Sequence, residues 1–395
     1  MLAEREPDAA ISIAAVIGEF SNRISGFHLG SKANNMEIAI TGYEIVLTVY
    51  TRSAFPVDWA MTQYNLGNAY LDRIKGVRAE NIEEAIAAYH AALEVRSRTA
   101  FPVNWAMTQH NLGNAYLDRI KDVRAENIEE AITAYHAALE VRSRTAFPQD
   151  WAMTQNNLGN AYYKRILGER AENIEIAIAA CNAALEVRSR TPFPVDWAMT
   201  QNNLGNAYLE RILGDRAENI EIAIAACNAA LEVFTRTAFP VEWATTQNNL
   251  GNAYLDRIKS VRAENIEIAI AAYNAAIEIY TRSAFPVDWA MTQLNLGNAY
   301  LDRILGKKSE NIKKAIRIYN AALQVRSRTD FPVDWAATQN HLGSAYLDRI
   351  LGDGAENIEQ AIAACNAALE IYTRSALLLG SVLCHRKRSV ANVYL

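Results

Sequence analysis

The chain has 395 residues, of which 51% are hydrophobic and 21% charged, with only 18 glycines and nine prolines. This content can bury a sizeable core and excludes a disordered or fibrous chain. A net charge of −5, from 39 basic and 44 acidic residues, leaves no electrostatic footprint for nucleic acid.

The opening residues, Met1 to Glu6, mix charges rather than placing a basic region before an apolar run, so no secretory signal is read there. No stretch reaches the ~18 apolar residues of a membrane span, and a cytoplasmic location is expected. Residues 1–54 hold a degenerate repeat or cap, visible at Asn35-Met36-Glu37-Ile38-Ala39-Ile40 and Thr51-Arg52-Ser53-Ala54. From there the phrase Phe-Pro-x-x-Trp-Ala recurs at Phe55, Phe101, Phe147, Phe193, Phe239, Phe285 and Phe331, and it contains all seven tryptophans. The units are therefore 55–100, 101–146, 147–192, 193–238, 239–284, 285–330 and 331–376, followed by an atypical tail, 377–395.

Within 55–100, a first helix is predicted to open at Pro56, with Asp58 at the positive end of its dipole. Trp59, Leu66, Ala69, Tyr70 and Ile74 form its apolar stripe, and it ends near Lys75-Gly76. A second helix is predicted from an Asn81 N-cap, with Glu84 three residues on. Its buried face is Ile82, Ala85, Ile86, Tyr89, Ala92 and Leu93. Glu94 and Arg98 are spaced as a surface pair within the unit, worth ~0.3–0.5 kcal/mol. Cys181, Cys227 and Cys365 share one slot with Tyr89, Tyr135, Tyr273 and Tyr319, which marks a packing position rather than a disulfide framework. One such helix pair cannot bury its own apolar face, so neighbours must stack.

Leu66-Gly67-x-x-Tyr70 followed by Ala85-x-x-x-Tyr89-x-x-Ala92 resembles the tetratricopeptide signature, and the resemblance covers about residues 35–376. It implies an all-α fold, a right-handed superhelical solenoid of antiparallel helix pairs with a concave groove lined by the first helices. The unit is longer than the usual 34 residues of that family, and Ser97 stands where the family has proline after the second helix. In these respects the chain resembles the long-unit, kinesin-light-chain-like type. The phrase Ala-Glu-Asn-Ile-Glu…Phe-Pro…Trp-Ala-x-Thr-Gln-Asn-Asn-Leu-Gly-Asn-Ala-Tyr is similar to repeat arrays of cyanobacterial-type proteins that also carry a CHAT protease domain. HEAT repeats share the period, but Leu-Gly-x-x-Tyr argues against them.

Away from the Leu66/Tyr70 stripe the first helices carry paired asparagines: Asn65/Asn68, Asn111/Asn114, Asn157/Asn160, Asn203/Asn206, Asn249/Asn252 and Asn295/Asn298, the row breaking at His341/Ser344. Asparagine costs a mid-helix position roughly 0.5 kcal/mol against alanine, so the row asks for a reason. Carboxamides offer donors and an acceptor and can hold the backbone of an extended peptide, as matching asparagines do in relatives. The competing reading is that they bond to each other, or simply descend from recent duplication. Beside them one slot varies: Tyr64, His110, Asn156, Asn202, Asn248, Leu294 and Asn340. A groove reading side chains would vary there, as would drift at an exposed site. Leu71, Leu117, Leu209, Leu255, Leu301 and Leu347 offer either an apolar floor or packing against the next helix. Asp72, Asp118, Glu210, Asp256, Asp302 and Asp348 would add an acidic rim favouring a ligand of some basic character.

No catalytic or metal-binding pattern is present. The six histidines lack ligand spacing, with His90 and His136 in one exposed slot, and Gly306-Lys307-Lys308-Ser309 lacks the earlier glycine of a phosphate loop. Cys384-His385, adjacent in a short tail, cannot form the protease site of the CHAT family. The basic run His385-Arg386-Lys387-Arg388 reads as a solvated tail. The expectation is a non-catalytic scaffold with no cofactor and no membrane or nucleic-acid partner. It would bind a protein or peptide in its groove through the asparagines. The alternatives are a sensor arm acting with a separate CHAT-type protease, or a spacer without a specific ligand. An uncapped last unit would also favour self-association through repeat ends.

Overall fold

The computed structural model describes residues 7–27, 29–349 and 352–374, and among these every regular element is an α-helix. In order they are α1 (Pro7–Ser25), α2 (Lys32–Leu47), α3 (Pro56–Leu71), α4 (Arg78–Leu93), α5 (Pro102–Asp118), α6 (Arg124–Leu139), α7 (Pro148–Lys164), α8 (Arg170–Leu185), α9 (Pro194–Leu209), α10 (Arg216–Leu231), α11 (Pro240–Asp256), α12 (Arg262–Ile277), α13 (Pro286–Asp302), α14 (Lys308–Leu323), α15 (Pro332–Leu347) and α16 (Gly354–Arg374). The chain divides into two compact units, Met1–Asp196 and Trp197–Leu395. No described helix is long and apolar enough to cross a membrane. The tail 377–395, with Cys384, His385 and the basic run, lies outside the described residues, as does His28.

Within each unit the repeats are helix pairs, as α3 with α4 or α11 with α12, and the second helix packs on the first of the next pair, as α4 does on α5. First helices of successive pairs also touch, as α3 does α5, so they form one wall of each unit. The closest approach within a pair is set by glycine. A Cβ on Gly67 would meet Tyr89 Cε1 at 2.7 Å, and one on Gly113 would meet Tyr135 at the same distance. Tyr89, Tyr135, Tyr273 and Tyr319 are fully buried, as are Ile82, Ile128, Ile174, Ile220, Ile266 and Ile312. Each such side chain contributes ~1.5–3 kcal/mol by leaving water. Cys181, Cys227 and Cys365 are buried in the tyrosine slot, as a packing position requires.

Three local expectations are corrected. The first helix stops at Leu71, not near Lys75, and Ile74 lies 61% exposed rather than in the stripe. The second helix begins at Arg78 behind an extended Val77, so Asn81 is not its N-cap. Asn81 is instead buried inside the first turn, where its Nδ2 donates to the Lys75 carbonyl at 2.8 Å and holds the interhelix turn closed. Asn127, Asn173, Asn219, Asn265 and Asn311 repeat that bond at 2.8–2.9 Å.

The third correction concerns charge. The second helix ends at Leu93, so Glu94 and Arg98 are not a helical pair. Arg52 reaches Glu94 of the next repeat at 2.6 Å, Arg98 reaches Glu140, and Arg236 reaches Glu278 at 2.6 Å. A bidentate clip joins neighbours as well: Arg119 Nε and Nη2 donate to the two Glu83 carboxylate oxygens at 2.8 and 2.7 Å. The Arg119 bonds hold the Glu83 carboxyl below its usual range. These ion pairs set the register between repeats.

Candidate functional site

All twelve row asparagines stand half-buried on first helices. Within Met1–Asp196 they bond to each other across repeats. Asn111 Nδ2 donates to Asn68 Oδ1 at 2.8 Å, and Asn157 Nδ2 to Asn114 Oδ1 at 2.9 Å. The tyrosine of the packing slot shares the same acceptor, since Tyr89 donates to Asn68 and Tyr135 to Asn114, both at 2.8 Å. The row starts one repeat earlier than the sequence reading placed it. Asn22 of α1 accepts from Tyr43 at 2.8 Å and from Asn65 at 2.9 Å. It lies 46 residues before Asn68, and that register was the signal that could have found it.

The residue of the packing slot decides whether the row asparagine opposite it is bonded. Tyr273 and Tyr319 donate to Asn252 and Asn298 at 2.7 Å. Asn160 and Asn206 stand opposite Cys181 and Cys227, and neither has a hydrogen-bond partner among the described residues. Their amides are available to a ligand. In the bonded pairs, Asn111 keeps its Oδ1 without a partner among the described residues, and that atom is not sealed from solvent, whereas the Asn68 amide also interacts with the Tyr64 hydroxyl.

The variable slot is not an exposed reader of side chains. Tyr64, His110, Asn156, Asn248 and Asn340 are buried, and Asn202 and Leu294 are half-buried. The slot supplies an acceptor to the next repeat's asparagine: Asn111 donates to Tyr64 at 2.8 Å, Asn249 to Asn202 at 3.0 Å and Asn295 to Asn248 at 3.2 Å. Leu294 can accept nothing, and the following repeat has His341 where the asparagine would stand. His110 fits the same rule. Burial lowers its pKa to about 3, with Arg142 and Arg188 adding to the effect, so the ring is neutral. Thr154 spends its proton on the Asp150 carbonyl at 2.8 Å and takes the Nδ1 hydrogen of His110 at 3.1 Å. That leaves Nε2 as an acceptor facing Asn157 Nδ2 at 3.5 Å.

Parts of the apolar floor and the acidic rim are engaged between helices and repeats. Leu117 and Leu209 are buried in the cores between helices, Leu117 against Ile128 and Leu158. Asp118, Asp256 and Asp302 pair with Arg78, Arg216 and Arg262 of the preceding repeats at 3.4, 2.8 and 3.2 Å. Half of the rim is neutralised this way, while Asp72 and Asp348 have no ion-pair partner among the described residues.

Sequence reading missed a set of buried arginines. Arg96, Arg142, Arg188 and Arg326 are 3–6% exposed, at the end of each second helix. Phe234, Tyr280 and Tyr372 occupy the same slot in other repeats and are equally buried. A slot alternating arginine with aromatics was the available signal of a flat buried group. Arg96, Arg142 and Arg326 donate from Nη1 to a buried threonine at 2.9–3.1 Å. No group of His, Cys, Asp and Glu side chains that could hold a metal stands among the described residues.

Comparison with known proteins places the fold and nothing finer. No protein-family model matches the chain, and no curated protein matches it in sequence. Among solved structures it is similar to a Rap protein complexed with Competence and Sporulation Factor: 12% identity, TM-score 0.56, covering 97% of this chain and 98% of that one. It is similar to the apo form of RapI at 15% identity and TM-score 0.54, covering 97% of each chain. The Cut9–Hcn1 hetero-tetramer of the APC/C matches at 15% identity and TM-score 0.53, over 94% of this chain and 62% of that one. The chain is an all-α tetratricopeptide-like array of helix pairs.

Proposed function

We propose that this protein is a non-catalytic interaction scaffold that holds extended peptide segments along the first-helix wall. The observation carrying the reading is the unspent hydrogen-bonding capacity of the asparagine row. Asn160 and Asn206 offer whole carboxamides, and Asn111 offers an acceptor. A peptide backbone needs such alternating groups. The similar Rap protein, solved with Competence and Sporulation Factor, lends the reading support by fold alone. With the variable slot buried, ligand selectivity comes from Val57, Met61 and their equivalents on the same wall, which are 37–52% exposed where their exposure is large.

The spacer reading has an observation of its own, since Asn111 and Asn157 are engaged in bonds between repeats. A role beside a separate CHAT-type protease, and association through repeat ends, rest on the sequence alone. The test is selection of displayed random peptides on the full chain, followed by anisotropy titration of the winners. Asn160→Ala in one unit combined with Asn206→Ala in the other should weaken binding roughly two- to tenfold whichever unit holds the peptide, since each unit loses one hydrogen-bonding amide. Winners that bind wild type and double variant equally, or no winners at all, would favour the spacer.

A further inference from the structure

A second pocket adjoins the asparagine row and shares Val57, Met61 and Asn65 with that wall, but it is defined by Arg96 and does not depend on peptide capture by the row. Arg96, 5% exposed, stacks its guanidinium 4.6 Å over the Tyr64 ring and donates from Nη1 to Thr108 Oγ1 at 3.0 Å. In the equivalent slots the other side of the guanidinium faces an acid. Arg142 has Asp150 at 3.7 Å, Arg188 has Asp196 at 3.5 Å and Arg326 has Asp334 at 4.0 Å. In the repeat of Arg96 that acid is Asn104, and no carboxylate among the described residues pairs with Arg96. A buried guanidinium keeps its charge, and a buried charge left unpaired is costly.

The missing acid coincides with space. A cavity of about 280 Å³ opens beside Arg96, lined by Val57, Met61, Phe101 and Met107 with the amides of Asn65 and Asn104. Beside Arg142, where Asp150 is present, the corresponding cavity is about 40 Å³. The first volume suits a group the size of one amino-acid residue, near the lower limit of small-molecule sites. Nε and Nη2 of Arg96 have no acceptor among the described residues and form the fork that grips a carboxylate with two parallel bonds.

We propose that Arg96 and Asn104, with the apolar walls around them, form a binding site for a carboxylate on a compact apolar body. The ligand carboxylate takes the place that Asp150 fills in the next repeat, and the apolar body fills the cavity. Two sources carry this chemistry, a free short-chain carboxylic acid and the aliphatic C-terminal residue of another chain.

Calorimetric titration of the full chain tests it, with 4-methylpentanoate and N-acetyl-glycyl-leucine as the two probes and their amides as controls. One acid should bind per chain, and its amide should bind roughly ten- to hundredfold more weakly, the loss expected for a charge-assisted bond. Asn104→Asp gives the repeat the acid its neighbours have. It should melt higher than wild type and bind the acid at least tenfold more weakly. Arg96→Tyr, the residue of the Tyr280 repeat, should also abolish binding while circular dichroism verifies the fold. Binding of 4-methylpentanoate identifies a free acid as sufficient; binding of the dipeptide alone identifies a chain terminus. The proposal is overturned if neither acid binds, if amides bind as well as acids, or if Asn104→Asp binds undiminished.

Discussion

Replacing Asn111 and Asn160 separately by alanine should move stability in opposite directions, although both occupy the same row in Met1–Asp196. Asn111 donates to Tyr64 and to Asn68, both at 2.8 Å. Two such bonds are worth about 0.5–1.5 kcal/mol each. Alanine returns about 0.5 kcal/mol of helix propensity, so the net loss is about 0.5–2.5 kcal/mol. Asn160 has no partner among the described residues, so Asn160→Ala recovers the propensity and loses nothing, a gain of roughly 0.5 kcal/mol. Urea unfolding followed by circular dichroism measures both, the midpoints being compared at unchanged slope. Equal shifts in the two variants would refute the bonding scheme. An opposite pair of shifts would mark Asn160 as a residue kept for something other than stability.

Two further perturbations test the packing. Ser260 holds φ 72° at a turn position where Gly76, Gly168, Gly214, Gly306 and Gly352 take φ 77–99°. Ser260→Gly should stabilise by about 0.5–1 kcal/mol, relief of left-handed strain outweighing the added freedom of the unfolded chain, and Gly306→Ser should cost a similar amount. Thermal melts that move neither way would show the turn is not strained. His110 makes stability depend on pH: its folded pKa, about 3, lies below the ordinary value of 6.5. The unfolded chain therefore binds the proton first as pH falls. The contribution of His110 is fully present above pH 6.5 and is lost toward pH 3, at up to about 1.4 kcal/mol per pH unit. His110→Asn, the residue of the Asn156 slot, should flatten the stability profile between pH 5 and 6.5; an unchanged profile would mean His110 is charged in the fold.

The repeat and its helix pairs were legible in the sequence because stacking copies must bury the same face, so the residues that touch recur at one spacing. Gly67 with Tyr89 is the plainest case, since a glycine opposite a large ring is a local signature of close approach. The chain alone could not say which partner a polar side chain takes. Asn81 has the chemistry of an N-cap, yet it braces a turn because the helix begins at Arg78. Glu94 and Arg98 have helical spacing, yet each finds its partner in an adjacent repeat once the helix stops at Leu93. The varying slot looked exposed because it varied; stacking buries it wholly or in part, and every copy but Leu294 carries an acceptor, such as the hydroxyl of Tyr64 or the amide of Asn248. Hydrogen bonds and ion pairs between repeats depend on angles and offsets of a few ångströms that periodicity does not encode. Which asparagines are spent on the fold, and which are left for a ligand, was therefore decided by the tertiary structure.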